Sequence, residues 1–138
     1  MKIAIALDEN PGPGFLANAA ACIASGLFDG EKDLLGGRIE GAECTFIPIT
    51  KIPILIVKQN RKPWKELLDR AKKNGLKHMV FTREGQSTTS YEEYIERVRG
   101  KSLDEIEIVG IGVLGENKSV DKFAGLHEEA DCMRGAGL

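Results

Sequence analysis

Hydrophobic positions along the chain fall into two patterns, short continuous apolar runs and longer stretches with helical spacing. The apolar runs are bounded by glycine, proline or charged residues, so they predict buried strands at residues 1–7, 52–58, 76–82 and 106–114. The stretches with helical spacing predict helices at residues 15–27, 63–73, 90–99 and 118–124. This succession of strands and helices predicts an α/β domain.

The first helix carries two distinct faces. Its apolar stripe follows the i, i+3, i+4, i+7 rule and is expected to lie on the sheet; it consists of Leu16, Ala19, Ala20, Ile23 and Leu27. A second face brings together Asn18, Cys22 and Ser25, which are also three and four residues apart. Polar atoms are therefore expected on the side of this helix that does not face the sheet.

The loop before this helix has the sequence Pro-Gly-Pro-Gly. Gly12 and Gly14 have no side chains, so backbone N–H groups at the start of the helix can approach a bound anion closely. Glycine and proline also punctuate ordinary strand-to-helix turns, and a simple turn is the other interpretation.

A polar loop at residues 83–89 follows the strand predicted at residues 76–82. Ligands of open α/β sheets usually bind at the carboxyl ends of the strands, which is where this loop is expected. Its candidates for ligand contact are Arg83, Gln86, Ser87 and Thr88. A polar loop is also stable without a ligand, so a solvent-exposed loop that binds nothing is the other interpretation.

The remaining segments suggest a single domain over residues 1–138. Residues 28–43 contain scattered glycines and charges and predict a long loop, and the β-branched residues at 44–50 predict an extended segment. Residues 126–138 are expected to form a weakly ordered tail. No linker separates domains, and a chain of this length can bury roughly two thirds of its unfolded surface.

Composition excludes several classes of function. With 19 Lys and Arg against 21 Asp and Glu, the net charge of -2 gives no positive field for nucleic acid, which makes a nucleic-acid partner unexpected. The three cysteines at 22, 44 and 132 are widely spaced, which argues against a disulfide framework or a metal site and favours a reducing cytoplasm. The apolar runs are too short to cross a bilayer, and no cofactor is indicated.

Several short motifs in this order resemble the peptidyl-tRNA hydrolase II-like superfamily. They are the first strand with Asn18-Ala-Ala, the Ile52-Pro-Ile-Leu strand, Phe81-Thr82 before Tyr91-Glu-Glu-Tyr94, and Gly110-Ile-Gly with Gly115 and Lys118. The chain is most similar to uncharacterised bacterial and fungal domains of unknown function within that superfamily. The resemblance implies a three-layer α/β/α sandwich around a mixed, mainly parallel sheet.

The catalytic residues of true peptidyl-tRNA hydrolases do not carry over. The lysine, glutamine and histidine of their first helix fall on Phe15, Ala19 and Cys22. Their Asp-Ala-Gly-Arg-Thr-Gln loop falls near residues 83–88, where the acid becomes Arg83 or, with a shift, Glu84. Ester hydrolysis requires a general base and charge stabilisation, and the expected lysine and histidine are missing.

Three functional hypotheses follow. The first is a binding module for a small anionic or nucleotide-like ligand, held in a groove between residues 12–18 and 83–88, with Gly12, Gly14, Asn18, Arg83, Gln86 and Ser87 as its contacts. The alternative is a hydrolase of an ester or amide bond, in which Glu84, Cys22 or Asn18 takes a substituted role. The third is a homodimer formed through an exposed edge strand or an apolar helix face.

Overall fold

The computed structural model describes residues 1–59 and 62–125 and the backbone of residues 132–135. The strands are β1 (Lys2–Leu7), β2 (Ile39–Glu40), β3 (Thr45–Phe46), β4 (Ile54–Lys58), β5 (Lys77–Thr82), β6 (Ile108–Gly115) and β7 (Cys132–Gly135). The helices are α1 (Pro13–Leu27), α2 (Trp64–Lys73), α3 (Arg83–Gln86), α4 (Tyr91–Val98) and α5 (Asn117–Ala124). Short 3-10 helices cover Lys32–Leu34 and Leu103–Glu105.

The main sheet has the strand order β5-β6-β1-β4-β7 in the described part of the chain. Strand β1 lies in the middle, pairing in parallel with β4 and antiparallel with β6. The outer pairs, β4 with β7 and β5 with β6, are antiparallel. Strands β1, β4 and β5 therefore point in one direction, and β6 and β7 point in the other.

The sheet is mixed, but the expectation that it is mainly parallel is wrong. Among the described strands, β1 and β4 form the one adjacent parallel pair. The reason lies between β5 and β6: Thr82, at the end of β5, pairs with Ile108, at the start of β6. Because α3 and α4 leave and return at the same edge of the sheet, β6 must run opposite to β5.

Helices cover both faces of the sheet. On one face, α1 buries Ala19, Ile23 and Leu27 against side chains of β1 and β6. On the other face, α2 and α5 pack over β1, β4 and β6, with Leu67 and Phe123 in the core. Each strand of the sheet centre is therefore apolar on both sides, which explains why β6 is buried along nearly its whole length.

Glycines in β6 allow α1 to lie close to the sheet. A Cβ atom added at Gly112 would stand 2.2 Å from Ile23 Cγ2 and 3.0 Å from Leu27 Cδ1. At Gly110 it would stand 2.8 Å from Ile23 Cδ1. The two glycines are therefore required by the packing of Ile23 against the strand.

Residues 28–50 contain more regular structure than the sequence indicates. Inside the predicted loop, the structure places the 3-10 helix at Lys32–Leu34 and strand β2. Of the predicted extended segment at 44–50, Thr45–Phe46 forms β3, which pairs with β2. The expected weakly ordered tail, residues 126–138, lies outside the described residues except for the backbone of β7.

None of the helices in the described ranges is both long and apolar enough to cross a bilayer.

Candidate functional site

One edge of the main sheet collects the carboxyl ends of three strands. Strand β1 ends at Leu7, β4 at Lys58 and β5 at Thr82, and these strands point in the same direction. The chain leaves β1 directly into the glycine-rich loop and α1, and it leaves β5 directly into α3. Ligands of α/β sheets commonly bind at such an edge, so this edge is the candidate functional site.

A pocket of about 540 Å³ opens at this edge between α1 and β4. Its walls are mainly apolar, and its volume is within the range typical of small-molecule sites. The lining residues on α1 are Pro13, Leu16, Ala17 and Ala20, and those on the strands are Leu7, Ile56 and Val57. The pocket exists because α1 packs over β1, β5 and β6 and leaves the end of β4 uncovered on this face.

Three charged residues belong to the lining of the pocket, Asp8, Glu9 and Lys58. Oδ1 of Asp8 accepts hydrogen bonds from the backbone N–H of Asn10, at 3.2 Å, and from Asn10 Nδ2, at 3.3 Å. This local turn holds the Asp8 carboxylate at the start of the loop. The lining thus combines one basic and two acidic side chains around an apolar interior.

The N terminus of α1 lies beside the pocket. Pro13 occupies the first turn and has no N–H, and Leu16 N–H donates to Gly12 O at 3.2 Å. Within the described ranges, no side chain caps this helix and no acidic residue stands in its first turn. The amides of Gly14 and Phe15 therefore remain as donors directed away from the helix, where the helix dipole favours negative charge.

The structure brings together three of the site residues predicted from sequence. Nε2 of Gln86 donates to Asn18 Oδ1 at 3.2 Å and to the carbonyl of Phe15 at 2.9 Å. The guanidinium of Arg83 donates to Gln86 Oε1 at 2.6 Å and to Glu107 Oε2 at 3.3 Å, and it stands over the Phe15 ring. These bonds join α1 to α3 across the expected groove.

The other predicted residues lie on either side of this cluster. Gly12 and Gly14 flank Pro13 at the pocket, and an added Cβ at either glycine would meet nothing within 4 Å. Ser87 is exposed and accepts a hydrogen bond from Arg97 Nη1 at 3.1 Å. The predicted polar loop is partly helical, because the Thr82 hydroxyl accepts the N–H of Gly85 and caps α3.

Thr88 connects the loop to α4. Its hydroxyl donates to Glu93 Oε2 at 2.9 Å, and Arg97 also pairs with the Glu93 carboxylate. The Thr88 hydroxyl and, after it, the Arg97 guanidinium hold the pKa of Glu93 below its ordinary value. The carboxylate is thus kept ionised in the folded state, and its partners fix the end of the loop on the helix.

Replacing Thr88 with valine is expected to raise the pKa of Glu93 toward its ordinary value, because the hydrogen bond that lowers this pKa most is removed. In the native protein this carboxylate contributes stability that is complete at neutral pH and is lost as the pH falls through its lowered folded pKa. A carbon-detected NMR titration of the glutamate carboxyl groups measures the change. The neighbouring exposed substitution Thr89→Val is the control, and an unchanged Glu93 titration in Thr88→Val would contradict the assignment.

A second, shallower groove of about 340 Å³ lies on the other side of α1, between Cys22 and α4. Tyr94 lines this groove. Burial, and after it the neighbouring Tyr91, raises the pKa of Tyr94 above its ordinary value.

The residues of the hydrolase alternative do not converge on one point. The carboxylate of Glu84 accepts the backbone N–H of Glu107 at 3.0 Å. Asn18, Cys22 and Glu84, the residues of the hydrolase alternative, therefore contact different partners.

No group of three or more His, Cys, Asp or Glu side chains in the described part of the chain is arranged to hold a metal ion.

The sequence does not indicate the wall of the pocket that β4 supplies, which consists of Ile56, Val57 and Lys58. The only signal for these residues was their position at the end of an apolar strand. Their contribution depends on the pairing of β1 with β4, which brings Leu7 opposite Lys58.

Comparison with known proteins identifies the family of the chain. A solved structure of a protein of unknown function from Agrobacterium tumefaciens matches 94% of this chain and 95% of its own, with a TM-score of 0.80. The sequences are 18% identical, so the match shows a shared fold. No curated protein matches the sequence. The family described as "Protein of unknown function (DUF2000)" matches residues 1–127, and the chain therefore belongs to the DUF2000 family.

Proposed function

We propose that this protein is a binding module for a small ligand that combines an apolar body with one anionic end. The observation that carries the proposal is the pocket between α1 and β4, with its volume of about 540 Å³ and its apolar walls. Sites of this size and composition bury most of the surface of a small ligand, and a few polar groups at the mouth fix its orientation.

The pocket walls determine the chemistry of the ligand body. Leu7, Leu16 and Ile56 present aliphatic groups, so burying an aliphatic or aromatic body removes apolar surface from water on both sides. A lining with two acidic side chains and one basic side chain has no excess of positive charge for a polyphosphate. A monoanion with an apolar body thus fits better than a nucleotide, which is the other ligand class expected from sequence.

The start of α1 supplies the contact for the anionic end. The amides of Gly14 and Phe15 stand in the first turn, beside Pro13 in the pocket lining. An anion at this point accepts backbone hydrogen bonds and benefits from the positive end of the helix dipole. Because neither glycine carries a side chain, a carboxylate can reach these amides without steric hindrance.

The proposal extends to the fold and to the cellular location. The arrangement of α1 on one face of the sheet and α2 with α5 on the other supports a three-layer α/β/α sandwich of the peptidyl-tRNA hydrolase II-like type. Cys22 and Cys44 carry free thiols, which agrees with a reducing cytoplasm. Under this proposal, the chain binds its ligand at the edge of the sheet where β1, β4 and β5 end.

Isothermal titration of the purified protein with octanoate tests the proposal. Octanoate is expected to bind and to raise the melting temperature, because a ligand that binds the native state stabilises it. Octanol is expected to bind more weakly, since it lacks the charge, and inorganic phosphate and AMP are expected to bind less tightly than octanoate. The absence of binding and of any melting shift with octanoate would refute the proposal, and tighter binding of AMP would replace it with the nucleotide class.

Two matched substitutions on α1 locate the ligand. Ala17 lines the pocket, whereas Ala21 is exposed on the same helix, one turn further along and outside the lining. Ala17→Leu is expected to weaken octanoate binding roughly tenfold, about 1.4 kcal/mol, because the added side chain occupies pocket volume. Ala21→Leu is expected to leave the affinity unchanged, and equal effects of the two substitutions would place the ligand elsewhere.

Gly14→Glu tests whether the anionic end of the ligand binds at the start of α1. A glutamate in the first turn is expected to stabilise the ligand-free protein, because it removes a helical glycine and complements the dipole. The same carboxylate repels an anion at the amides of Gly14 and Phe15, so octanoate affinity is expected to fall while octanol affinity stays the same. Equal losses for the two ligands would contradict the assignment of the anionic end.

A further inference from the structure

Residues 36–49 form a two-stranded arm that is separate from the main sheet. Its base is closed by a hydrogen bond from Gly36 N–H to Ile49 O, at 2.7 Å, and by the pairing of Leu35 with Thr50. Of the seven large apolar side chains exposed among the described residues, four belong to this arm. They are Ile39, Phe46, Ile47 and Ile49, with exposed fractions of 63%, 55%, 73% and 49%. The arm is therefore the main exposed apolar surface of the described chain.

The arm has one apolar and one polar cross-strand pair. Ile39 stands directly opposite Phe46, so their side chains share one face of the ribbon. Glu40 stands opposite Thr45 on the other face, where the Thr45 hydroxyl donates to Glu40 Oε2 at 3.0 Å. An isolated ribbon of two strands is marginally stable in water, so an arm of this kind needs a surface to pack against.

The rest of the chain offers little to cover the arm. Strands β2 and β3 pack chiefly against each other in the described structure. The side chains that the structure does not describe, those of residues 60, 61 and 126–138, include three large apolar ones, Leu126, Met133 and Leu138, against four that need covering. The partner is therefore best sought in another molecule.

We propose that the arm is the interface of a homodimer, in which β2 pairs antiparallel with β2 of a second copy around Ile39. In this register Arg38 of each chain stands opposite Glu40 of the other, so a two-fold axis generates two pairs of opposite charge. Ile39 meets its own copy, and Phe46 joins it on the same face. This charge complementarity favours a second copy over an unrelated partner.

The backbone of β2 is also suited to this pairing. Gly41 N–H donates inward to Cys44 O at 2.9 Å, so by alternation along the strand the N–H and C=O of Glu40 point away from β3. The backbone N–H and C=O groups of Arg38 in one copy then face those of Glu40 in the other. The pairing converts two edge strands into the centre of a four-stranded sheet.

Sedimentation equilibrium of the full chain between about 1 and 100 μM tests the proposal. A dimer is expected, and Ile39→Asp is expected to weaken it at least roughly a hundredfold, because it places two carboxylates at the two-fold axis. Tyr91→Asp is the matched control, since Tyr91 is equally exposed but lies on α4. A monomer over this range, or a dimer that Ile39→Asp leaves intact, would overturn the proposal.

Charge reversal tests the register. Arg38→Glu and Glu40→Arg are each expected to weaken the dimer roughly tenfold, because each places like charges opposite one another. The double variant, Arg38→Glu with Glu40→Arg, restores opposite charges across the axis and is expected to recover the native dissociation constant within about threefold. A double variant as weak as the single ones would overturn the register. Circular dichroism of each variant confirms that the fold is retained.

Discussion

Replacement of Phe123 by alanine is expected to lower the free energy of unfolding by about 3–5 kcal/mol. Phe123 is 1% exposed and is the largest almost completely buried side chain among the described residues. It projects from α5 into the core beneath the sheet, where it packs in one cluster with Leu67 and Val120. Truncation removes the apolar contacts of the ring and leaves a cavity that the surrounding strands cannot fill.

Urea denaturation measures this loss. Lys122→Ala is the control on the preceding, exposed position of α5 and is expected to change stability by less than about 0.5 kcal/mol. Phe123 packs on the face of the sheet opposite α1, so octanoate affinity is expected to survive the substitution at temperatures where the protein remains folded. A loss below about 1 kcal/mol would show that α5 is not packed as described.

Alanine at Gly112 and alanine at Gly14 are expected to have opposite effects on stability. The new Cβ at position 112 would stand 2.2 Å from Cγ2 of Ile23, whose β-branched side chain has little freedom to move away. Overpacking of this kind costs about 1–3 kcal/mol. Gly14 lies in the first turn of α1 and nothing lies within 4 Å of the new atom, so Gly14→Ala is expected to gain about 0.5–1 kcal/mol.

A double-mutant cycle identifies the cause of the loss. Ile23→Ala removes the methyl group that the new Cβ meets, so Gly112→Ala is expected to cost less in that background than in the native protein. The displacement of α1 by Gly112→Ala is also expected to weaken octanoate binding, since α1 forms one wall of the pocket. An additive cycle would show that Ile23 is not the group that excludes a side chain at position 112.

Local patterns were sufficient to predict most of the elements. The apolar stripe of α2, the run of β1 and the helical spacing of α4 each depend on residues close together in sequence, and each element is present in the structure. The direction of β6 was not predictable in this way. The helical pattern of residues 90–99 is the same whether α4 crosses the sheet or stays at one edge, and that choice decides between a parallel and an antiparallel neighbour.

The candidate site was also only partly predictable from local patterns. Asn18 and Gln86 could be placed together, because the rule for strand carboxyl ends brings α1 and the loop after β5 to one edge. The pocket itself depends on how far α1 extends over the sheet, which follows from Gly110 and Gly112 on β6 and from the pairing of β1 with β4. Those relations join residues tens of positions apart, and no local pattern of the first helix contains them.

The central position of β1 has a consequence for biosynthesis. This strand is translated before the other described strands of the sheet, and its antiparallel neighbour β6 lies about a hundred residues further along the chain. Because such distant contacts must form before the core closes, folding is expected to be slow compared with that of helical bundles. Strand β6 must leave the ribosome before β1 has both neighbours, so the nascent chain leaves one edge of this apolar strand unpaired while the intervening residues are translated.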